Sequence, residues 1–496
     1  MLYMNLDSVR ITFQDIRDDA LELVDSVTSY PLKNAWFSPA FRSKRWDGKE
    51  HLMTFSKVHG YRVFAGCTSD IVEAFDKAGT QYQIIDKRPV PKGGVDHGWT
   101  GKIMSHGKVV DLEVRDYQEQ AVRAILGWRA PRGRCMVRMP VRSGKTVTAG
   151  LLTGALGVRT LFVATSDLLL NQTADLFRSM FNKPIGIVGG GVWDPQDITV
   201  ATIQTLTARV KPDKKKKKQP DLGYLPRDKE LMKWINSYDL MIFDECHHLN
   251  ATKWKEIALN STAYWKVGLS ATIYLDRTKP NERENIWLKA CTGDVAYTIT
   301  TRRLIEEGWL VKPTIEIHKL DLKVLDGDDW VEDEVYRNGI VVNDKRNTYI
   351  AKLAAAAVRD DNSRVMVIAQ QHDQIDTLWT WIEHLGIKAE RLTGKITGQA
   401  RRGVLNRFKD GRTPVLVGNV FGEGVDIPEC DVVINAEGGE SKKKTIQRMR
   451  NLTPSPGKDH VRVIDFADSH NKHLAKHSRR RIATYRDENA FDIVVI

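Results

Sequence analysis

The stretch MPVRSGKT, Met139 to Thr146, constrains this chain more than any other. It follows the mainly apolar run CMVRM and leads into TVTAGLLTGAL, whose apolar spacing suits a helix, so it reads as strand, loop and helix start. Such a junction attracts phosphate, because the first backbone N–H groups of a helix lack intrahelical partners and carry the positive end of its dipole. Gly144, with Ser143 beside it, lets the backbone come close to a phosphate. Lys145 then reaches the β- and γ-phosphates, and the Thr146 hydroxyl ligates a Mg²⁺ that keeps most of its waters. The general pattern opens with a glycine where this chain has Met139, so the stretch alone also fits an accidental GKT at a helix start.

A second stretch changes that balance. SYDLMIFDECHH, Ser237 to His248, is an apolar run ending in two carboxylates, as expected of a buried parallel strand that delivers side chains to the crevice at its C-terminal end. Asp244 is the candidate to hold Mg²⁺, and Glu245 to orient and deprotonate the water that attacks a γ-phosphate. A solvated turn is the bland alternative. Zinc on His247 and His248 is disfavoured, since adjacent residues of an extended segment point opposite ways and no cysteine pair lies nearby.

MPVRSGKT and DECHH resemble motifs I and II of the superfamily 2 helicases, and LSAT at Leu269 to Thr272 resembles their motif III. Within that superfamily the chain is most similar to the UvsW-like phage DNA helicases of the XPB-like group. The resemblance implies an α/β fold of two tandem RecA-like parallel-sheet lobes, of the P-loop NTPase kind, behind a small α+β accessory domain. It implies ATP and Mg²⁺ as cofactors, DNA as partner, and ATP held between the lobes. His247, Ser270 and Thr272 would couple the nucleotide to the nucleic acid. LEVRDYQ, Leu112 to Gln118, resembles the adenine-reading segment, with Gln118 on the base edge and Arg115 beside it; either residue also fits a plain helix start.

Size and composition agree. A chain of 496 residues has room for about three domains, and 42% hydrophobic content suffices for ordinary cores. The formal charge of +12 favours a polyanionic partner, although five of those charges form the run Lys214 to Lys218, which reads equally as a solvated loop. The five cysteines are scattered, so neither a disulfide framework nor a zinc site is indicated and a reducing cytoplasm fits, of the host bacterium if the chain is phage-encoded. No apolar run is long enough to span a bilayer, and Asp7 and Arg10 come too early for a signal peptide.

In chain order, Val9, Ile11 and Phe13 alternate with polar residues as in a strand, and a helix pattern follows from Ile16 to Val27. FRSKRWDGKEHLMTF, where Asp47 and Gly48 read as a hairpin-type turn, then combines base and ring: Arg45, Trp46 and Lys49, with Phe41, Arg42 and Lys44 beside them, are nucleic-acid candidates, against the alternative of a core tryptophan among solvated charges. Residues 1–95 read as an accessory, DNA-binding domain. The Gly/Pro-rich stretch Lys87 to Lys108 marks a linker, set at 96–110, with 111–305 as the first lobe and 306–496 as the second. TLFVAT, DITVAT, YDLMIF and KVGLSAT are strands of the first lobe; RVMVIAQ, PVLVGNV and DVVINAE are strands of the second. The resemblance puts Thr165 and Thr202 on the nucleic-acid backbone from the first lobe, and Thr393 and Asn419 from the second. It puts Gly424 and Asp426 in a GxD motif that bridges ATP and nucleic acid. The family's motif VI, QxxGRxxR, is irregular here. Anchoring on Gln447 leaves no arginine where the two belong, whereas one deleted residue places Met449 at the glycine and Arg450 at the first arginine, the register we prefer. A nucleic-acid scaffold with a decayed ATPase is the alternative of another class, suggested by that irregularity and by Arg142 in place of a loop glycine. An ATP-driven translocase of a restriction or defence system is the alternative among enzymes.

Overall fold

The computed structural model describes residues 1–105, 108–128, 131–208, 229–273, 282–323, 331–396, 398–419, 427, 429–439, 458, 461–487 and 490–496. The chain divides into two compact units, Met1–Pro140 with Gly144–Ile299, and Val141–Ser143 with Thr300–Ile496.

Parallel pairing dominates the first unit. Its large sheet has, among the described residues, eight strands in the order Val192–Asp194, Ile185–Gly189, Ile198–Thr202, Thr160–Ala164, Leu240–Asp244, Trp265–Ser270, Arg134–Arg138, Val295–Thr298. Only the Val192–Asp194 edge strand is antiparallel. The central strands are buried along their whole length, as parallel strands covered on both faces must be, which is why TLFVA and LMIF carry no polar alternation. The strand order places the Leu240–Asp244, Trp265–Ser270 and Arg134–Arg138 C-termini side by side.

The accessory segment forms a smaller sheet, in the order Thr54–Ser56, Gly60–Phe64, Arg10–Gln14, Leu2–Leu6, Tyr82–Asp86, with helices Asp18–Thr28 and Thr68–Ala78 packed together. Its apolar core continues into the first lobe through Ile286, Trp287 and Ala290 of the helix Arg283–Thr292. Trp287 Nε1 donates to Tyr30 Oη at 3.0 Å, and Lys289 Nζ meets Asp70 at 2.6 Å. At Gly66 a Cβ would fall 2.0 Å from the Lys289 carbonyl oxygen, so only glycine permits this approach.

Two segments differ from the sequence reading. The Asp47–Gly48 turn does not join neighbouring strands of a hairpin: it leads into Lys49–His51, whose antiparallel partner is Ser29–Pro31. The linker segment is strapped to the first lobe. His97 Nε2 lies 2.9 Å from the Val158 carbonyl oxygen, the Trp99 ring meets Phe181 edge-on at 5.7 Å, and Lys102–Ser105 pairs with Lys108–Asp111 as a hairpin. Periodicity is missing there because the segment is held by backbone pairing and single rings, not by a repeating apolar face.

The second unit is a parallel sheet of seven strands among the described residues, in the order Ala389–Leu392, Val415–Gly418, Val365–Ile368, Val432–Asn435, Val461–Phe466, Pro313–His318, Asp492–Val495. Apolar clusters cover both faces, one built on Val367, Ile375 and Leu378 and the other on Ile368, Leu392 and Phe408. Two parallel α/β sheets of this kind are two RecA-like lobes.

Candidate nucleotide site and nucleic-acid surface

The phosphate loop follows the strand Arg134–Arg138 and ends on Gly144, which caps the helix Lys145–Leu156 at φ 77°. Met139, where the pattern has glycine, is fully buried, and its N–H donates to the Ser270 carbonyl oxygen at 3.0 Å, so it pegs the loop to the neighbouring strand. Ser143 is fully buried as well. Arg142 takes φ 71°, a left-handed conformation that glycine adopts freely and arginine does not. Glu245 does the same at φ 46°. Strain of about 1–3 kcal/mol per residue persists only where the surroundings enforce it, and here it falls on the two loops that carry the site.

Gln118 lies against this loop. It is buried in the helix Asp116–Gly127, its Oε1 accepts the Arg115 N–H at 3.1 Å, and a Cβ on Gly144 would sit 2.4 Å from its Nε2. The helix-start role is therefore real for Gln118 and coexists with a place beside the phosphate loop. Arg115 donates from Nη1 to Tyr117 Oη at 2.7 Å.

Asp244 and Glu245 end the strand Leu240–Asp244, and both are buried. Lys145 Nζ lies 3.6 Å from Glu245 Oε1, Ser270 Oγ donates to Glu245 Oε2 at 3.0 Å, and His247 Nδ1 is 2.8 Å from Ser270 Oγ and 3.3 Å from Glu245 Oε2. Thr272 Oγ1 is 3.4 Å from His247 Nδ1. Burial acts to raise the Glu245 carboxyl, but the Lys145 charge and the His247 and Ser270 hydrogen bonds overcome it and hold the group well below the usual carboxylate range. Lys145, Glu245, His247, Ser270 and Thr272, scattered over the sequence, thus form one network at three adjacent strand ends. Thr146 is half-buried at the first turn of its helix.

The nucleic-acid candidates divide. Thr165 and Thr202 follow or end neighbouring parallel strands. Thr165 Oγ1 is buried and makes no hydrogen bond among the described residues. Thr202 is 1% exposed, with its hydroxyl 2.9 Å from that of Thr205. The strand end is tucked beneath the following helix start, and the half-buried Thr205 lies nearer the surface. Thr393 and Asn419 extend the adjacent strands Ala389–Leu392 and Val415–Gly418; the Asn419 N–H donates to the Leu392 carbonyl oxygen at 3.3 Å. Gly424, Asp426, Gln447 and Arg450, with the run Lys214–Lys218, lie outside the described residues.

In the accessory domain Arg45 and Lys49 are exposed. Trp46 is half-buried, and its indole N–H donates to the Lys49 carbonyl oxygen at 2.7 Å, so it braces the turn. The open rings near this turn are Trp36, Phe37 and Phe41, and Phe55 is open on the strand Thr54–Ser56. Sequence reasoning missed the first two; the signal was the run NAWFSPAF, where neither a strand nor a helix pattern buries the rings.

Comparison with known families adds the kinship of the chain. Residues 111–275 match the family described as type III restriction enzyme, res subunit, and residues 346–450 match the helicase conserved C-terminal domain. The chain belongs to the superfamily 2 helicases. As members of that superfamily do, this helicase hydrolyses ATP and takes nucleic acid as its substrate. The ATP-dependent DNA helicase uvsW of Enterobacteria phage T4 is 24% identical over 98% of this chain and 96% of its own. The DNA 3'-5' translocase XPB2 of Sulfurisphaera tokodaii is 25% identical over 70% of this chain and 80% of its own. Among solved structures, a putative HsdR subunit of a type I restriction enzyme from Vibrio vulnificus shares the fold, with a TM-score of 0.55 and 20% identity over 77% of this chain and 68% of the other.

Proposed function

We propose that this helicase is an ATP-dependent DNA helicase or translocase that works on branched or duplex DNA, in recombination, repair or fork remodelling, in the cytoplasm of a host bacterium. The observation that carries the reading is the Lys145, Glu245, Ser270 and His247 network at three adjacent strand ends, a charge arrangement suited to phosphoryl transfer. The choice of DNA rests on similarity to uvsW and XPB2, both named for action on DNA, and on a net charge of +12.

The residues divide the chemistry. Gln118 and Arg115 hold the base. Lys145 moves from Glu245 to the β- and γ-phosphates, and the Glu245 carboxyl, released from that charge, rises toward the ordinary carboxylate range. It thereby becomes a stronger base for the attacking water, while Ser270 and His247 keep it oriented. Thr146 and Asp244 offer only oxygen donors, the set magnesium prefers. Among the described residues no cluster of three His, Cys, Asp or Glu exists that would hold a metal by protein alone. Mg²⁺ at Thr146 and Asp244 would neutralise charge on the phosphate oxygens.

ATP turnover by the full chain, compared without nucleic acid and with single-stranded DNA, duplex, four-way junction and RNA, tests this. Stimulation by DNA, strongest with the junction, is expected. Preference for RNA would overturn the substrate, and turnover near zero throughout would favour the decayed scaffold. In the second lobe Arg450→Ala is expected to bind ATP almost normally yet lose roughly 10³- to 10⁵-fold of DNA-stimulated hydrolysis, and Arg448→Ala much less. The reverse order would overturn the chosen register of motif VI.

A further inference from the structure

The accessory domain carries an open pocket of about 550 Å³ lined by Trp36, Phe41, Arg42, Lys44, Arg45, Trp46 and Asp47. Its walls are fixed from behind. Phe41 and Trp46 meet edge-on at 6.4 Å, and Gly48, at φ 81°, packs so closely on Phe41 that a Cβ would lie 2.8 Å from the ring. Arg42 donates from Nε to the Trp36 carbonyl oxygen at 3.0 Å, holding the Trp36 turn against the short helix Pro39–Arg42. Trp36 stays 57% exposed and Phe37, 5.7 Å from it, is exposed as well, so the rings form an open apolar patch and not a lone side chain. Lys44 is held at φ 56°, a further left-handed residue at the pocket rim.

Charge narrows the occupant. Three cations line the pocket against one carboxylate, and Asp47 is committed to its own turn, accepting the Lys49 N–H at 3.0 Å and facing His51 Nε2 at 3.3 Å. Rings that accept a flat apolar face, beside cations that outnumber the one carboxylate, match a nucleobase and its flanking phosphates. A duplex offers phosphates, but its bases are paired and stacked, with an open face only at the two ends. The position is also fixed relative to the first lobe. The strand Lys49–His51 that follows the pocket pairs with Ser29–Pro31, and Tyr30 of that strand accepts a hydrogen bond from Trp287 of the lobe.

We propose that this pocket takes one unpaired base of a DNA strand, stacked on Trp36 and Phe41 with Lys44 and Arg45 on the neighbouring phosphates, so that the accessory domain registers the single-stranded arm of a branched substrate at a fixed place on the first lobe. The proposal rests on the DNA-helicase reading and adds to it which part of the substrate the accessory domain recognises.

The test is equilibrium binding of the full-length protein to a single-stranded oligonucleotide, a fork with unpaired arms and a blunt duplex, each over a range of salt. Trp36→Ala, at an exposed position, should weaken binding to the first two by roughly 5-fold or more and leave the duplex unchanged. Its salt slope should match that of the wild type, since no phosphate contact is removed. Trp36→Phe should recover most of the loss. Arg45→Gln should weaken all three and flatten the slope by roughly 0.7–0.9. Equal losses on duplex and single strand in Trp36→Ala would make the patch a general phosphate surface and overturn the proposal, as would no loss on any DNA. A wild type that neither binds DNA nor hydrolyses ATP faster with it would instead sink the DNA-helicase reading.

Discussion

Both large sheets end parallel strands in carboxylates, and the two sets are built differently. In the second lobe, Asp465 and Asp468 are closed off by arginines of their own lobe. Arg481, from the helix Lys472–Asp487, places Nε 3.1 Å from both Asp465 oxygens, while Tyr485 Oη and Asn435 Nδ2 donate to the same carboxylate at 2.8 and 2.9 Å. Arg346 grips Asp468 at 2.8 and 3.2 Å and donates to the Ala436 carbonyl oxygen. These four charged side chains are at most 2% exposed. In the first lobe Glu245 meets its cation at one point only, 3.6 Å away, and is otherwise held by neutral or weakly basic neighbours. A fork-shaped arginine saturates a carboxylate and fixes structure. A single lysine at longer range leaves both partners available to a ligand. The difference teaches that a strand-end carboxylate becomes chemical only where its counter-ion can leave.

The largest expected effect follows from that freedom. Lys145→Ala or Glu245→Gln should lower ATP turnover by about 10³-fold or more, because both groups face the reacting phosphate, and should change thermal stability little. Single-turnover hydrolysis alongside thermal unfolding of each variant checks both halves; turnover near wild type in either would erase the contrast between the lobes. Next in size is the opposite behaviour of the closed pair. Arg481→Ala leaves Asp465 buried without its cation and should destabilise the second lobe by about 3–5 kcal/mol. Combining Arg481→Met with Asp465→Asn should recover much of that loss. Denaturant unfolding would show it, and additive losses in the double variant would mean the pair is not the closed unit described above.

The fold of the motor was legible because its strands are short apolar runs with a marked end. TLFVAT and YDLMIF predicted the strands Thr160–Ala164 and Leu240–Asp244 to within two residues. The core of the site was legible too, since Lys145 and Glu245 sit in local motifs. What joins them was not: pairwise spacing cannot say that Ser270 bridges Glu245 and His247, a consequence of strand order. Nor could it tell LMIFDE from VRVIDFAD, because the deciding arginine lies on the basic helix Lys472–Asp487, whose run of charges fits a solvated face equally well, whereas Arg481 is wholly buried. The docking of the accessory domain was hidden for a similar reason. Periodicity reports that Tyr30 and Trp287 belong in a core, and not that they belong in the same one.

The smallest effect concerns a third carboxylate, Glu256, buried in the first lobe on the helix Thr252–Asn260. Among the described residues it has neither kind of partner. Burial pushes its carboxyl up to about 7, only partly offset by Lys253 and Lys255, and its Oε2 makes no hydrogen bond among the described residues. Lys255 is drawn elsewhere, with Nζ 4.0 Å over the Trp287 ring. A carboxyl whose folded pKa lies above its unfolded value favours the folded state while protonated. The unfolded chain loses its proton first, from about 4.5, so stability falls as pH rises between about 4.5 and about 7 and then levels off. Glu256→Gln keeps the shape and removes the titration. It should melt higher than the wild type at about pH 8, by roughly 2 °C or less once solvent screening is allowed for, and the gap should shrink toward about pH 5. A gap that is constant with pH would mean Glu256 stays ionised in the fold, held by a counter-ion as Asp465 is, and the difference between closed and open carboxylates would then need a second criterion besides the geometry of the cation.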